Sequence, residues 1–376
     1  MRGDKKSLQL IKKIGKYLLG LLLVFAVLLT GYVGYMQLHY YRLPDKQKLT
    51  IGRQQTATLA LNRSYSAVTY NVGFGAYNQK FSFFMDQGEL KNGQKTQGTR
   101  GTAFSKQAVM ASTNGVIKTL RQLKADFILL QEIDTHSTRS HYVNQVKLVE
   151  RGLPGYDYTF ANNFHSAYLL WPLTDPHGSV QSGLLSLSKY HLDSTVRRKY
   201  PITSAFISKF TDLDRCFTMM RYPVKGGKEL LVINSHMSAY DKGGKMRKAQ
   251  MKLLSRVIEQ EYHAGNYVIV GGDFNHALGR DMLKHFAHQE KVPTWVSVLS
   301  QKMLPKDFVM VKAKNRMQVA TVRSTDMKYQ PKVNYQTVGD GFIVSKNIQA
   351  SAVNINTDYR YADHNPVKLE FKLLKN

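Results

Sequence analysis

The sequence predicts an α/β domain behind one apolar anchor helix. Three observations predict it. Continuous apolar stretches of strand length recur along the chain and alternate with amphipathic helical stretches. Several of those strands end in a carboxylate, amide or imidazole side chain. Residues 17–36, YLLGLLLVFAVLLTGYVGYM, carry no charge, and ~20 such residues in a helix cross a bilayer.

The anchor comes first. Signal-peptide apolar cores run only ~7–15 residues before a small-x-small cleavage site. This run is longer and has no clear site of that kind, so an uncleaved signal anchor is expected. Arg2, Lys5, Lys6, Lys12, Lys13 and Lys16 precede it; Arg42, Lys46, Lys48 and Arg53 follow. That bias places residues 1–16 in the cytoplasm as a basic tail and the remainder outside the cell membrane. Tyr17, Tyr32, Tyr35, Tyr40 and Tyr41 sit where interfacial aromatics belong. Residues 37–64 read as a linker and residues 65–376 as one domain.

Within that domain, SAVTYNVGF (66–74) reads as a buried strand, 87–101 as a long loop, and 106–123 as an amphipathic helix. DFILLQEI (126–133), SGLLSLSKY (182–190), FTMMRYPV (217–224) and ELLVINSHM (229–237) read as strands. A helix over 246–262 leads into the strand YVIVGGDF, and GFIVS (341–345) and VKLEFKL (367–373) close the series. No repeat of solenoid or propeller period interrupts it.

Composition sets bounds on function. The chain has 376 residues, of which 43% are hydrophobic and 21% charged, so a packed core is expected and bulk disorder is not. Lys and Arg number 53 against 26 Asp and Glu, a formal charge of +27. Such an excess favours nucleic acid, anionic lipid or another polyanion as a neighbour, the alternative being a surface that only aids solubility. The lone Cys216 excludes an intramolecular disulfide and a zinc site built on cysteines.

The strand ends carry the chemistry. YNVGF offers Asn71, ILLQEID Glu132, VINSHM His236, and VIVGGDFN Asp273 and Asn275. VGDGFIVS brings Asp340, and YADHNPV brings Asp363 and His364. In α/β folds, ligands gather outside the carboxyl ends of strands. Oxygen donors such as Glu132 and Asp363 favour Mg2+ or Mn2+. Hydrolysis of a phosphoester needs charge neutralised, water activated and a leaving oxygen relieved, which carboxylates, His and Asn supply. The Gly271-Gly272 pair is expected to let the backbone turn sharply before Asp273. Arg139 reads either as a phosphate fork or as a solvated loop arginine. The segment 77–107 reads either as a substrate rim or, through FSFFMD, as packing on the core or the membrane. His276 reads as a neighbour of the site.

The order Asn, QE, SH, GDFN, an Asp-led strand and a terminal DH resembles the endonuclease/exonuclease/phosphatase superfamily. That superfamily includes DNase I-like nucleases, abasic-site endonucleases, inositol polyphosphate 5-phosphatases and neutral sphingomyelinases. The resemblance covers about residues 66–373 and implies a four-layer α/β/β/α sandwich with its site at one end. Carried over by motif, Asn71, Glu132 and Asp363 contact the metal, with Glu132 the principal ligand. His236 stabilises phosphate oxygens, Asp273 positions or deprotonates water, and Asn275 orients the phosphate. Asp340 holds the tautomer of His364, although Gly341 stands where the family usually has a bulky residue. The resemblance leaves Asp273 and His364 both open as the base. It implies a divalent-metal-dependent phosphoesterase acting on nucleic acid, a phospholipid headgroup or a small phosphoester. The alternative is a non-catalytic scaffold on the same fold that contacts anionic polymers or lipids.

Overall fold

The computed structural model describes residues 2–375 apart from 204, 207, 240–243 and 287. Helix α1 (Arg2–Leu38) contains the whole uncharged run. It carries a candidate membrane span over Ser7–Leu38, none of whose most apolar window is buried against the protein. Helix α2 is Lys106–Leu123, α3 Gln145–Gly152 and α4 Lys245–His263.

Numbering strands of four or more residues, β1 is Ser64–Asn71, β2 Phe127–Asp134, β3 Asp157–Leu169, β4 Gly178–Ser188, β5 Ser194–Lys199 and β6 Cys216–Lys225. Then come β7 Glu229–His236, β8 Tyr267–Asp273, β9 Phe308–Val311, β10 Asp340–Ser345, β11 Ile348–Asn354 and β12 Val367–Leu373. Two sheets form. One runs β3-β4-β2-β1-β12-β11 and the other β5-β6-β7-β8-β10-β9, each extended by short strands. Among the numbered strands each contains one parallel pair, β1 with β2 and β7 with β8. A parallel pair needs a crossover, and α2 and α4 supply one to each sheet.

Side-chain alternation along the strands builds the layers. In β2, Ile128 and Leu130 face α2 and α3 in a cluster with Val116, Leu120 and Val149. Phe127 and Leu129 of β2 face the second sheet, meeting Val232, Ile269 and Phe342. On the far side Leu231, Ile233, Val268 and Val270 pack against Leu254 and Ile258 of α4. The result is helix, sheet, sheet, helix. A polar bolt crosses the inner layer, where Gln131 Nε2 donates to Asn234 Oδ1 at 2.7 Å and Asn234 Nδ2 donates to Ser186 Oγ at 3.0 Å.

Three expectations change. Gly271-Gly272 makes no turn; both lie inside β8. The missing Gly271 side chain serves close packing of the sheets, since a Cβ there would lie 2.5 Å from Phe342 Cε1 and 2.7 Å from Leu129 Cδ1. Residues 37–64 are woven into the domain, with Gln47–Lys48 pairing β5, Ile51–Gly52 pairing β3 and Leu59–Ala60 pairing β6. The stretch 87–101, expected as a loop, contains a hairpin of Gln87–Glu89 with Lys95–Gln97. In FSFFMD, Phe81 and Phe83 are buried with Phe74, Tyr77 and Val109.

Candidate active site

Five strands, β1, β2, β7, β8 and β10, deliver side chains to one rim. Parallel pairing of β7 and β8 sets His236 opposite Asp273. Antiparallel pairing of β8 and β10 sets Asp273 opposite Asp340. In the other sheet β2 bulges between Leu130 and Ile133, and Glu132 at the bulge adopts φ 52°. That left-handed backbone is uncommon for a glutamate and clusters at functional positions. Glu132 lines the cleft in front of the site, its side chain 26% exposed.

The distances close a cluster. His236 Nε2 lies 3.7 Å from Glu132 Oε1 and 3.6 Å from Asp273 Oδ2. His364 Nε2 lies 3.8 Å from Asp273 Oδ2, while His364 Nδ1 meets Asp340 Oδ2 at 2.8 Å. Asn71 Nδ2 donates to Glu132 Oε1 at 3.1 Å and to Asp273 Oδ2 at 3.0 Å. Asn275, at φ 50°, donates its backbone N–H to Asp273 Oδ1 at 2.8 Å and its amide to Met237 O at 2.9 Å. Thr321 Oγ1 accepts from the backbone N–H groups of Gly339 and Asp340, which fixes the start of β10.

Charge follows geometry. Burial disfavours the His364 imidazolium, but the Asp340, Asp363 and Asp273 carboxylates outweigh it and hold His364 well above the usual histidine range. Burial pushes Asp273 up, and Asp340 adds to the rise against the pull of His364. His236 is held well below its ordinary value by burial, then by Arg215 and His364. Arg215 Nη1 donates to His236 Nε2 at 2.7 Å, since a guanidinium can only donate. His236 therefore accepts at Nε2, and the positive charge on that wall belongs to Arg215.

Two placements bear on the roles read above. Asn71 Oδ1 accepts from Gly73 N at 3.0 Å while its amide faces the carboxylates. In this arrangement Asn71 braces Glu132 against Asp273. Arg139 is neither solvated nor an open fork. It is 5% exposed, bonds Asp134 through Nε at 3.1 Å and Nη2 at 2.9 Å, and stacks on Phe74 at 3.8 Å. Asp134 is fully buried, and a buried carboxylate needs such a partner. His276 packs beside the site with Nδ1 on Phe274 O.

Two arginines escaped the sequence reading. Arg215 opens β6, which runs antiparallel to β7 with Phe217 opposite Ser235. The amino end of such a strand reaches the same rim as its neighbour's carboxyl end, and that register is the signal. Arg323 is buried behind Asp363; its backbone N–H donates to Asp363 O at 3.1 Å and Nη2 donates to Asn78 O at 3.1 Å.

The donor set fits a hard cation. Asp363 Oδ1 is buried with no hydrogen-bond partner among the described residues. Burial pushes that carboxyl up to about 7, against the pull of His364, and the Glu132 carboxylate adds to the rise. Gly73, at φ 49°, leaves the pocket around it open, because a Cβ there would lie 3.0 Å from Asp363 Oδ1. Two mutually repelling carboxylates with an orphaned oxygen match an oxygen-liganded ion. Asp273, Asp340 and His364 also hold their donor atoms within 4.8 Å of one another. In that trio Asp340 is already bonded to His364, so Glu132 and Asp363 are the better match for Mg2+ or Mn2+.

The model of the endonuclease/exonuclease/phosphatase family matches residues 68–350. The chain belongs to this family. TDP2 from Caenorhabditis elegans superposes with a TM-score of 0.52 at 11% identity, covering 83% of this chain and 76% of that one. TDP2 from D. rerio, complexed with a single-strand DNA product, gives 0.51 at 13%, covering 83% of this chain and 100% of that one. An endonuclease/exonuclease/phosphatase from Beutenbergia cavernae gives 0.51 at 13%, covering 83% and 72%. At such identities the likeness shows a common fold. No curated protein matches the sequence.

Proposed function

We propose that this family member hydrolyses a phosphoester with a divalent cation, Mg2+ or Mn2+, from a domain tethered to the outer face of the cell membrane. One observation carries the reading: Glu132, His236, Asp273 and His364, far apart in sequence, meet with contacts of 3.6 to 3.8 Å. Arranging so many ionisable groups in one cleft is costly for stability and suits catalysis.

The residues divide the work. Glu132 and Asp363 hold the cation, which when bound neutralises phosphate charge and polarises water. Asp273 accepts a proton from the attacking water, its Oδ1 fixed by Asn275 and its Oδ2 by Asn71. His364, oriented through Nδ1 by Asp340, presents Nε2–H to a phosphate oxygen. Arg215 and the Asn275 amide complete the cradle, and His236 orients Arg215.

Asp273→Ala tests this directly. Hydrolysis of bis(4-nitrophenyl) phosphate is expected to vanish while circular dichroism stays that of the native protein; native turnover in this variant refutes the assignment. Tethering has its own test. Protease added to intact cells is expected to digest the domain, and full protection reverses the topology.

A further inference from the structure

The cleft in front of the site has a second wall that the proposed chemistry does not use. Its volume is ≈ 1380 Å3, and its lining includes Glu132, Asp273 and His364 at one end. At the other end the lining is Leu29, Tyr32, Val33 and Met36, all from α1. The membrane helix is therefore part of the cleft.

That contact is built, not grazing. Met36, 5% exposed, packs with Phe164, Leu169 and Val180. Tyr32 Oη donates to Tyr168 O at 3.1 Å and accepts from Leu170 N at 3.3 Å. Tyr35 Oη accepts from Tyr168 N at 3.1 Å. These bonds pin α1 to the connection between β3 and β4. Beside them Leu170, Trp171 and Leu173 stand 43%, 66% and 73% exposed. Phe206, 57% exposed, lines the cleft opposite.

Depth follows from helix geometry. Leu29 to Met36 are the last two turns of the uncharged run, and at ~1.5 Å per residue they reach ~10 Å into the apolar layer. A cleft walled by those residues opens at the level of the lipid tails and glycerol region, with Trp171 and the tyrosines at the interface. Lys209 lies there too, its Nζ 4.8 Å from the Tyr40 ring centroid and bonded to Gln37 Oε1 at 2.7 Å. It is placed to meet phosphate headgroups. A nucleic acid or a small hydrophilic ester gains nothing from an apolar mouth at that depth. A lipid places its tails on α1 and its phosphate at Asp273 and His364 without leaving the leaflet.

We propose that the substrate is a membrane lipid with a phosphodiester headgroup, taken laterally from the leaflet on the domain's side through the mouth between α1 and Trp171. This deepens the hydrolase reading and rests on it. In the reaction the water oxygen forms a bond to phosphorus and one phosphorus–oxygen ester bond breaks. One water proton ends on the leaving oxygen and the other on the phosphate. The products are one alcohol and one phosphate monoester.

The test reconstitutes the full chain into separate vesicles of phosphatidylglycerol, phosphatidylethanolamine and sphingomyelin with Mg2+. Bis(4-nitrophenyl) phosphate and a single-stranded oligonucleotide serve as soluble competitors. At least one lipid is expected to be cleaved, read by mass spectrometry of the products. Cleavage of a soluble ester or the oligonucleotide with every lipid untouched overturns the lipid proposal and leaves the hydrolase reading standing. Silence on all substrates overturns the hydrolase reading. Val33→Trp, which fills the mouth from the helix side, is expected to lower the ratio of lipid to soluble turnover about tenfold. Trp171→Asp, on the opposite side, is expected to lower it likewise should Val33→Trp fail to insert. An unchanged ratio in a correctly inserted variant overturns entry at this mouth.

Discussion

The carboxylate pairs Glu132–Asp363 and Glu290–Asp326 have opposite surroundings. Glu132 and Asp363 open onto the cleft, with Asn71, His364 and Arg323 around them. Glu290 and Asp326 are sealed under the Gln87–Glu89/Lys95–Gln97 hairpin, where Thr96 donates to Asp326 and Ser324 and Tyr335 N donate to Glu290. Both pairs keep a buried oxygen without a hydrogen-bond partner among the described residues. In the sealed pair burial, then Asp326, pushes the Glu290 carboxyl up to about 7, and a shared proton would relieve the repulsion. The open pair is reachable by a hydrated ion and stands beside His364, Asn275 and Arg215, the groups proposed above to bind phosphate. Acidity alone does not make a metal site; access and neighbours do.

The comparison breaks most visibly at the open site. His364→Ala is expected to cost about 10²–10³-fold in kcat on a soluble phosphodiester, the range for removing one donor to a developing oxyanion. A loss under threefold would detach His364 from the chemistry. Next in size, Glu132→Gln is expected to raise the Mg2+ concentration for half-activation by about tenfold or more, against no shift for Glu290→Gln. Equal shifts in both variants would erase the distinction.

The sealed pair is tested through stability. A carboxyl raised to about 7 in the native state, against the ordinary 4.5, binds its proton more readily folded than unfolded. Its stabilisation is therefore complete below about pH 4.5 and is lost as pH rises through about 7. Glu290→Gln is expected to reduce that slope, leaving the part due to Asp363, and to raise stability above pH 7 by about 1–3 kcal/mol, read from unfolding across pH. A slope unchanged by the substitution contradicts the shared proton. The smallest effect belongs to packing: Gly271→Ala, which pushes a methyl toward Phe342 and Leu129, is expected to cost about 1–3 kcal/mol through overpacking.

The long apolar elements were legible. The helix expected over 106–123 is α2 residue for residue, with Ser105 accepting from Ala108 N as its cap. The helix expected over 246–262 is α4 within a residue at each end. Two strands rich in polar residues were not. Strand β3 carries Asn162, Asn163, His165 and Ser166, and reads as polar until its partners are known. In β5, STVRRK hides the fully buried Arg197, which donates to Asn162 O, Pro44 O and Asp214 O. That long-range pairing has no local trace, and it also draws residues 37–64 into the sheets.

For the site, the sequence motifs found Asp340 at the amino end of antiparallel β10 but missed Arg215, which lies just before the amino end of antiparallel β6 and belongs to no motif. Arg139 misled because its spacing from Asp134 serves a buried pair within the same loop. The α1 wall of the cleft has no sequence signal, since nothing in the uncharged run says which of its faces meets the domain.

The open carboxylates are proposed to hold a divalent cation that hydrolysis requires. The most direct measurement is turnover of bis(4-nitrophenyl) phosphate by the full chain after exhaustive EDTA treatment, before and after Mg2+ or Mn2+ is returned. Activity lost with the chelator and restored by either ion is the expected result. Undiminished turnover in metal-free buffer would contradict it.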